Sequence, residues 1–224
     1  LEMPKSVWVV LGIILLVYAW KILAMAAKPQ RTEGFMVTTW YLVGACLWVV
    51  WIVWTAIALL GGNLELGALG AGISAWYVHG IILLFFVPIG VGSAYYFIPK
   101  ITGQPVHSAQ LAQMGFWVLA VLAGWTGMQR YLGGPLPAWM PGVGAMVGVL
   151  LLIPVGVVGI NHHLTTLGSH KLVATSPTLR FTFCGALFYP VSGVVLALIS
   201  AGFSGANLQF THAWYGYQIV SVYG

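Results

Sequence analysis

The chain is built from long apolar runs separated by short polar or glycine- and proline-rich breaks. A bilayer core of roughly 30 Å takes about 20 apolar residues in helical form. On that ruler the pattern predicts seven spans: Ser6–Ala27, Phe35–Leu60, Gly72–Ile98, Ser108–Met128, Val143–Asn161, Leu179–Ala201, and a last one from Leu208 to the end. The last is short for a full crossing, which predicts that the intact protein continues beyond Gly224. The breaks carry turn residues: Lys28-Pro-Gln-Arg31, Gly61-Gly-Asn, Pro99-Lys100, Gly133-Gly-Pro-Leu-Pro137 and Ser176-Pro177. Pro88, Pro154 and Pro190 fall inside spans, where neighbouring groups can satisfy the carbonyls that proline leaves free. The expected fold is all-α: a polytopic membrane helix bundle forming a single transmembrane domain over residues 1–224.

Composition agrees. Charged residues are 5 %, hydrophobic residues 60 %, and the mean hydropathy is +0.97, which excludes an ordinary soluble domain. The net charge of +5 rests on only eight Lys and Arg, so it reads as membrane topology and not as a nucleic-acid footprint. The first, third and fifth loops hold Lys28, Arg31, Lys100, Lys171 and Arg180, whereas Arg130 is the cation of the even loops. By the positive-inside rule the odd loops are cytoplasmic and the N-terminus of the chain faces out. Cys46 and Cys184 both lie in apolar runs and read as packing residues. No C-x-x-C-H segment is present, so covalent c-type haem attachment is excluded for this chain.

His79 and His212 stand inside apolar segments. An intramembrane ionisable side chain costs free energy and is a functional hypothesis by default. The topology places His79, Gln129, Arg130 and His212 within about 10 Å of each other in depth, on the outer side. Two imidazoles at one depth on separate helices point to a shared ligand. Haem suits a bundle that offers imidazoles to the iron and a cation to the propionates, and Arg130 is the candidate rim cation. Two plainer readings stand beside this: a helix–helix hydrogen bond for each histidine, and an ordinary interfacial arginine. His162 and His163 sit at an expected helix end and read as a solvated pair, not a metal site. The tryptophans at 40, 48, 51 and 54 read as core or lipid-facing packing.

Several segments together carry a family resemblance. Trp76-Tyr-Val-His79, Tyr95-Tyr-Phe-Ile-Pro-Lys100 and Gln104-Pro-Val-His-Ser108 resemble the catalytic subunit, subunit I, of cbb3-type haem–copper oxidases. The likeness continues through Phe116-Trp117, Leu136-Pro-Ala-Trp139, Ile160-Asn161, Pro177-Thr-Leu-Arg180 and Phe188-Tyr189, and Leu1-Glu-Met-Pro4 resembles the family's L-E-W-P. It covers the whole chain and corresponds to helices four to ten of about twelve in that family.

The departures shape the functional expectation. The resemblance implies copper held by the histidine matching His79 and by a histidine pair that aligns with Gln129 and Arg130. The family's redox tyrosine aligns with Ala123 and a helix-nine glutamate with Val195. Of the helix-ten histidines, the high-spin haem ligand is kept as His212, and the low-spin ligand is replaced by Trp214. Arginine does not ligate metals, because its guanidinium stays protonated, and copper on one imidazole is weakly held. Copper is therefore not expected. The leading expectation is a degenerate oxidase-like membrane subunit that binds one haem b through His212 and His79, with Arg130 at the rim, and relays electrons within a respiratory complex. Its expected partners are other membrane and redox subunits, including cytochrome c-type ones, in a bacterial inner membrane. An active oxygen or nitric oxide reductase and a haem-free scaffold remain open as alternatives.

Overall fold

The computed structural model describes residues 5–27, 37–61, 66–202 and 211–223. The charged first loop with Lys28 and Arg31, the opening Leu1-Glu-Met-Pro4 segment and Leu208 lie outside the described residues. Helices α1 (Lys5–Ala26) and α2 (Val37–Leu60) come first. Next is a composite rod of α3 (Gly67–Ile81), a π-helical turn (Ile82–Phe86) and α4 (Val87–Thr102). Then follow α5 (Ala109–Leu122), α6 (Trp139–Leu150), α7 (Leu152–Thr166), the short α8 (His170–Thr175), α9 (Pro177–Ser200) and α10 (His212–Tyr223). Among the described residues six stretches are long and apolar enough to cross a membrane: Ser6–Ala26, Val37–Leu60, Gly67–Thr102, Ala109–Tyr131, Trp139–Thr166 and Pro177–Ser200. These are the first six spans the hydropathy pattern predicts. The seventh is represented by α10, whose 12 residues rise only about 18 Å.

The internal prolines explain the irregularities. Pro88 has no N–H to donate, and the turn before it widens so that the Val87 N–H donates to Ile82 O in the π pattern. Pro154 removes a donor at the start of α7, and the sixth and seventh helices divide just before it, at Leu151. Pro190 stays inside α9, where its ring lies against Gly159 of α7; a Cβ there would be 3.0 Å from the Pro190 Cγ. Ser108 and Ser176 cap α5 and α9 by accepting from Leu111 N and Leu179 N. Gly103, at φ 70°, closes α4 in the left-handed conformation.

The core runs through the middle of α2, the rod, α5, α9 and α10, with Tyr41, Ile52, Leu84, Leu196 and Trp214 fully enclosed. In contrast, α1 lies along α2 and exposes most of its length, Trp20 most of all, as a lipid-facing helix does. Cys46 is buried and Cys184 exposed, both as free thiols. The tryptophans of α2 divide: Trp40 and Trp48 pack on Phe116, while Trp51 is half exposed and meets Trp76 edge-on.

Asn161 is a clamp that ties three elements. Its Nδ2 donates to the Tyr95 hydroxyl (3.0 Å) and to Ser108 O (2.8 Å), and its Oδ1 accepts from Ser108 N (3.0 Å). The three segments that carry much of the family resemblance thus meet at one scaffold node.

Candidate functional site

The fourth crossing unwinds where it passes His79. Helix α5 ends at Leu122, a 3₁₀ turn covers Ala123–Trp125, and Thr126 is extended. Gly127 then takes φ 110°, and a second 3₁₀ turn runs Met128–Tyr131. Only glycine fits at 127: a Cβ would stand 2.6 Å from Trp76 Cα, besides the strained φ. Non-helical backbone at membrane depth requires protein partners. They are present: the Trp76 indole donates to Gly124 O at 2.8 Å, and the Thr126 hydroxyl to Ala123 O at 2.7 Å.

Thr126 thereby reaches His79, which is fully buried. Its Nδ1 lies 2.9 Å from Thr126 Oγ1 and its Nε2 3.0 Å from Tyr217 Oη. The network assigns the tautomer. The Thr126 proton is committed to Ala123 O, so Thr126 Oγ1 accepts from Nδ1–H. The bare Nε2 then accepts from the Tyr217 hydroxyl. Trp214 and Tyr217 close over the ring, with centroids 5.6 and 5.7 Å from it.

The ring that packs on His79 is therefore Trp214, and not His212. On a helix, residues 214 and 217 share one face, and residue 212 lies some 140° or more from both. His212 is the first residue of α10 and is exposed; its ring neighbour is Tyr215, at 6.2 Å. Arg130 reaches the same tyrosine, donating to its hydroxyl at 2.9 Å with the guanidinium 4.8 Å from the ring centre. So Arg130 and His212 share Tyr215, while His79 belongs to a separate node.

Gln129 is fully buried, with Oε1 accepting from Gly127 N and Nε2 unpartnered. It packs against Gly144, where a Cβ would meet its Oε1 at 2.7 Å. Among the described residues no group of three or more His, Cys, Asp or Glu is arranged to hold a metal. The residues present do not fit copper: the imidazole at 79 has both nitrogens bonded, and Gln129 and Arg130, close to Thr126 in sequence, offer an amide and a guanidinium. A haem held between His79 and His212 fits no better, because Trp214 and Tyr217 fill the space over His79. The His212 imidazole is exposed, with Arg130 beside it on Tyr215, and so is open to an axial bond to a bound group while Arg130 offers a cation nearby.

His162 differs from its expectation as a solvated helix end. It is 4 % exposed, packs on Tyr95 with ring centroids 4.3 Å apart, and its Nε2 has no partner. His163 turns to other neighbours, bonding Gly159 O through Nδ1 at 2.7 Å and meeting Phe183. The helix end is buried because α4 and α9 both pack on α7, which a one-dimensional depth ruler does not register.

Sequence reasoning missed Thr126 and Tyr217. The second had a signal in the i, i+3 pairing of Trp214 and Tyr217; the first had only Gly124-Trp-Thr-Gly127, a turn-prone stretch inside an apolar run.

Comparison with known proteins follows the same line. The family model for cytochrome c and quinol oxidase polypeptide I matches residues 2–224. A cbb3-type cytochrome c oxidase subunit from Stutzerimonas stutzeri is 28 % identical over 198 residues, which is 85 % of this chain and 41 % of the relative. A bacteroid cytochrome c oxidase subunit 1 homolog from Bradyrhizobium diazoefficiens is 29 % identical over 205 residues, 85 % of this chain and 36 % of the relative. The chain thus spans about two fifths of the length of these curated relatives. With its multi-pass helical bundle, it belongs to the cytochrome c and quinol oxidase polypeptide I family and is a subunit I-like membrane protein.

Proposed function

We propose that this protein is a degenerate oxidase-like subunit that relays electrons within a bacterial respiratory membrane complex and does not itself reduce oxygen. The observation that carries the reading is the pairing of His212 and Arg130 on Tyr215 at the exposed start of α10. A single haem b would take His212 as its axial ligand, with Arg130 near the propionates. Bound there, haem supplies a one-electron ferric–ferrous couple. For His79 to ligate iron it would have to give up Tyr217, so the proposal assigns ligation to His212. Electrons would pass to or from neighbouring redox subunits, including cytochrome c-type ones, in the inner membrane, with the N-terminus of the chain outside.

The test is a reduced-minus-oxidised spectrum with metal analysis of the purified protein. A b-type band in the wild type, lost in His212→Ala and kept in His79→Gln, is the expected result. No band, or one unchanged in His212→Ala, overturns the haem. Stoichiometric copper or non-haem iron points instead to an oxygen or nitric oxide reductase. The satisfied hydrogen bonds of His79 favour a second reading, a haem-free scaffold, whose signature is an absent band with the fold intact.

A further inference from the structure

A cavity of about 320 Å³ opens between α4, α7, α9 and α10, at the lower end of the volumes of small-molecule sites, roughly 300–1,000 Å³. Exposed Phe86, Gly90 and Phe97 stand in its wall, so its mouth is on the lipid-facing side. His162 lines it, buried, with Nε2 unpartnered. An imidazole nitrogen left against hydrocarbon forfeits a hydrogen bond, so a purely apolar occupant leaves this wall unsatisfied. Four hydroxyls join it. Thr182 and Ser221 have committed their protons to Thr178 O and Tyr217 O, both at 2.9 Å, and can only accept, whereas Ser93 and Tyr189 can donate or accept. No Lys, Arg, Asp or Glu among the described residues lines the cavity, so it offers no counter-charge to an ionic headgroup.

The cavity has a direction. His162 lies four residues before the end of α7 and Thr182 five residues after the start of α9, so both stand within about 8 Å of the helix ends that α8 connects. From that level the wall runs along the rod from Phe97 back to Phe86, about 16 Å toward the middle of the bundle, where Val87, Val220 and Val222 line it. This suits a molecule with a polar head at one end and an apolar chain behind it. His162 Nε2 donates in one tautomer and accepts in the other, and only a group that does both serves it in each. A hydroxyl does, and it also donates to Thr182; an ester carbonyl can only accept, and hydrocarbon does neither. We propose that this cavity binds an uncharged lipid with a free hydroxyl head, of the acylglycerol class, with a hydroxyl on His162 and Thr182 and the acyl chain laid along α4 toward Phe86. The lipid carries no electron, so the proposal does not rest on the relay described above.

The probe is a 1-acylglycerol with a diazirine in its chain, illuminated with the protein in phosphatidylcholine nanodiscs, and the adducts are mapped by mass spectrometry. Gly90→Leu is the occluding variant; a Cβ at Gly90 meets nothing within 4 Å, so the side chain enters the mouth without disturbing the fold. Labelling should concentrate on the cavity-lining parts of α4 and α10, at about ten times the yield on the lipid-facing α1. That yield should fall about tenfold in Gly90→Leu and about fivefold in His162→Leu. Unlabelled 1-oleoylglycerol should compete, and methyl oleate, which keeps the chain and lacks the hydroxyls, should compete about fivefold less well. Labelling spread evenly over the lipid-facing helices, which would mean that phospholipid chains fill the cavity, overturns the proposal. So does a yield unchanged in either variant, or equal competition by the two oleates. The spectrum of His212→Ala reports on the haem separately, so the two proposals fail independently.

Discussion

Two imidazoles lie buried in this bundle, and their surroundings are opposite. His79 is enclosed with both ring nitrogens bonded and two aromatic rings over it. His162 packs on Tyr95, sixteen residues and so roughly 24 Å further along the α3–α4 rod, with Nε2 unbonded beside a cavity. A buried polar group that is fully satisfied is a structural node; one left unsatisfied next to open volume retains unused binding capacity. The comparison reverses the order that the sequence implies, in which His79 is the ligand and His162 an incidental helix end.

Stability measurements can break the comparison. The largest effect is expected at Gly127, which positions the unwound segment that presents Thr126 to His79. Gly127→Ala combines a positive φ with a Cβ 2.6 Å from Trp76 Cα, and should cost about 3 kcal/mol or more, or abolish assembly. Unfolding in mixed micelles by added SDS would read this; a loss below about 1 kcal/mol would mean the turn is not held as described.

Next comes His79→Ala, which leaves the Tyr217 hydroxyl and Thr126 without their shared partner and opens a void. The expected loss is about 3 kcal/mol by the same unfolding measurement. Near-neutral behaviour would show that His79 is not the node proposed.

The smallest effect is expected at His162→Leu. Removing a buried nitrogen that has no partner while keeping the volume should leave stability within about 0.5 kcal/mol of wild type or raise it slightly. A loss of about 2 kcal/mol would instead show that Nε2 has a strong partner and would dissolve the contrast with His79.

Much of the fold was legible because membrane insertion is governed by hydropathy over a fixed thickness. Six of the expected spans coincide with crossings, and Ser108 and Ser176 begin helices at expected boundaries, whereas α4 runs through the break expected at Pro99-Lys100 and ends only at Gly103. The family was legible too, since Tyr95, Ser108 and Asn161 lie in motifs and meet at one clamp. The site was less legible. Depth placed His79, Arg130 and His212 at one level, yet depth says nothing about azimuth. The helical phase of α10 turns Trp214 and Tyr217, not His212, onto His79. The unwinding at residues 123–127 was hidden for a related reason: its backbone is stabilised by Trp76 and Thr126 through contacts distant or local that hydropathy does not encode.

The sequence by itself determined that this is a helical membrane protein of the oxidase polypeptide I family, and that positions 129 and 130 carry an amide and a guanidinium. A guanidinium stays protonated whatever fold surrounds it, so Arg130 does not ligate a metal. Only the tertiary structure decided which buried groups are satisfied. Hydrogen bonding and packing depend on angles and distances between helices, so Tyr217 could close off His79 and leave His162 facing open volume without any change in the apolar pattern of the chain.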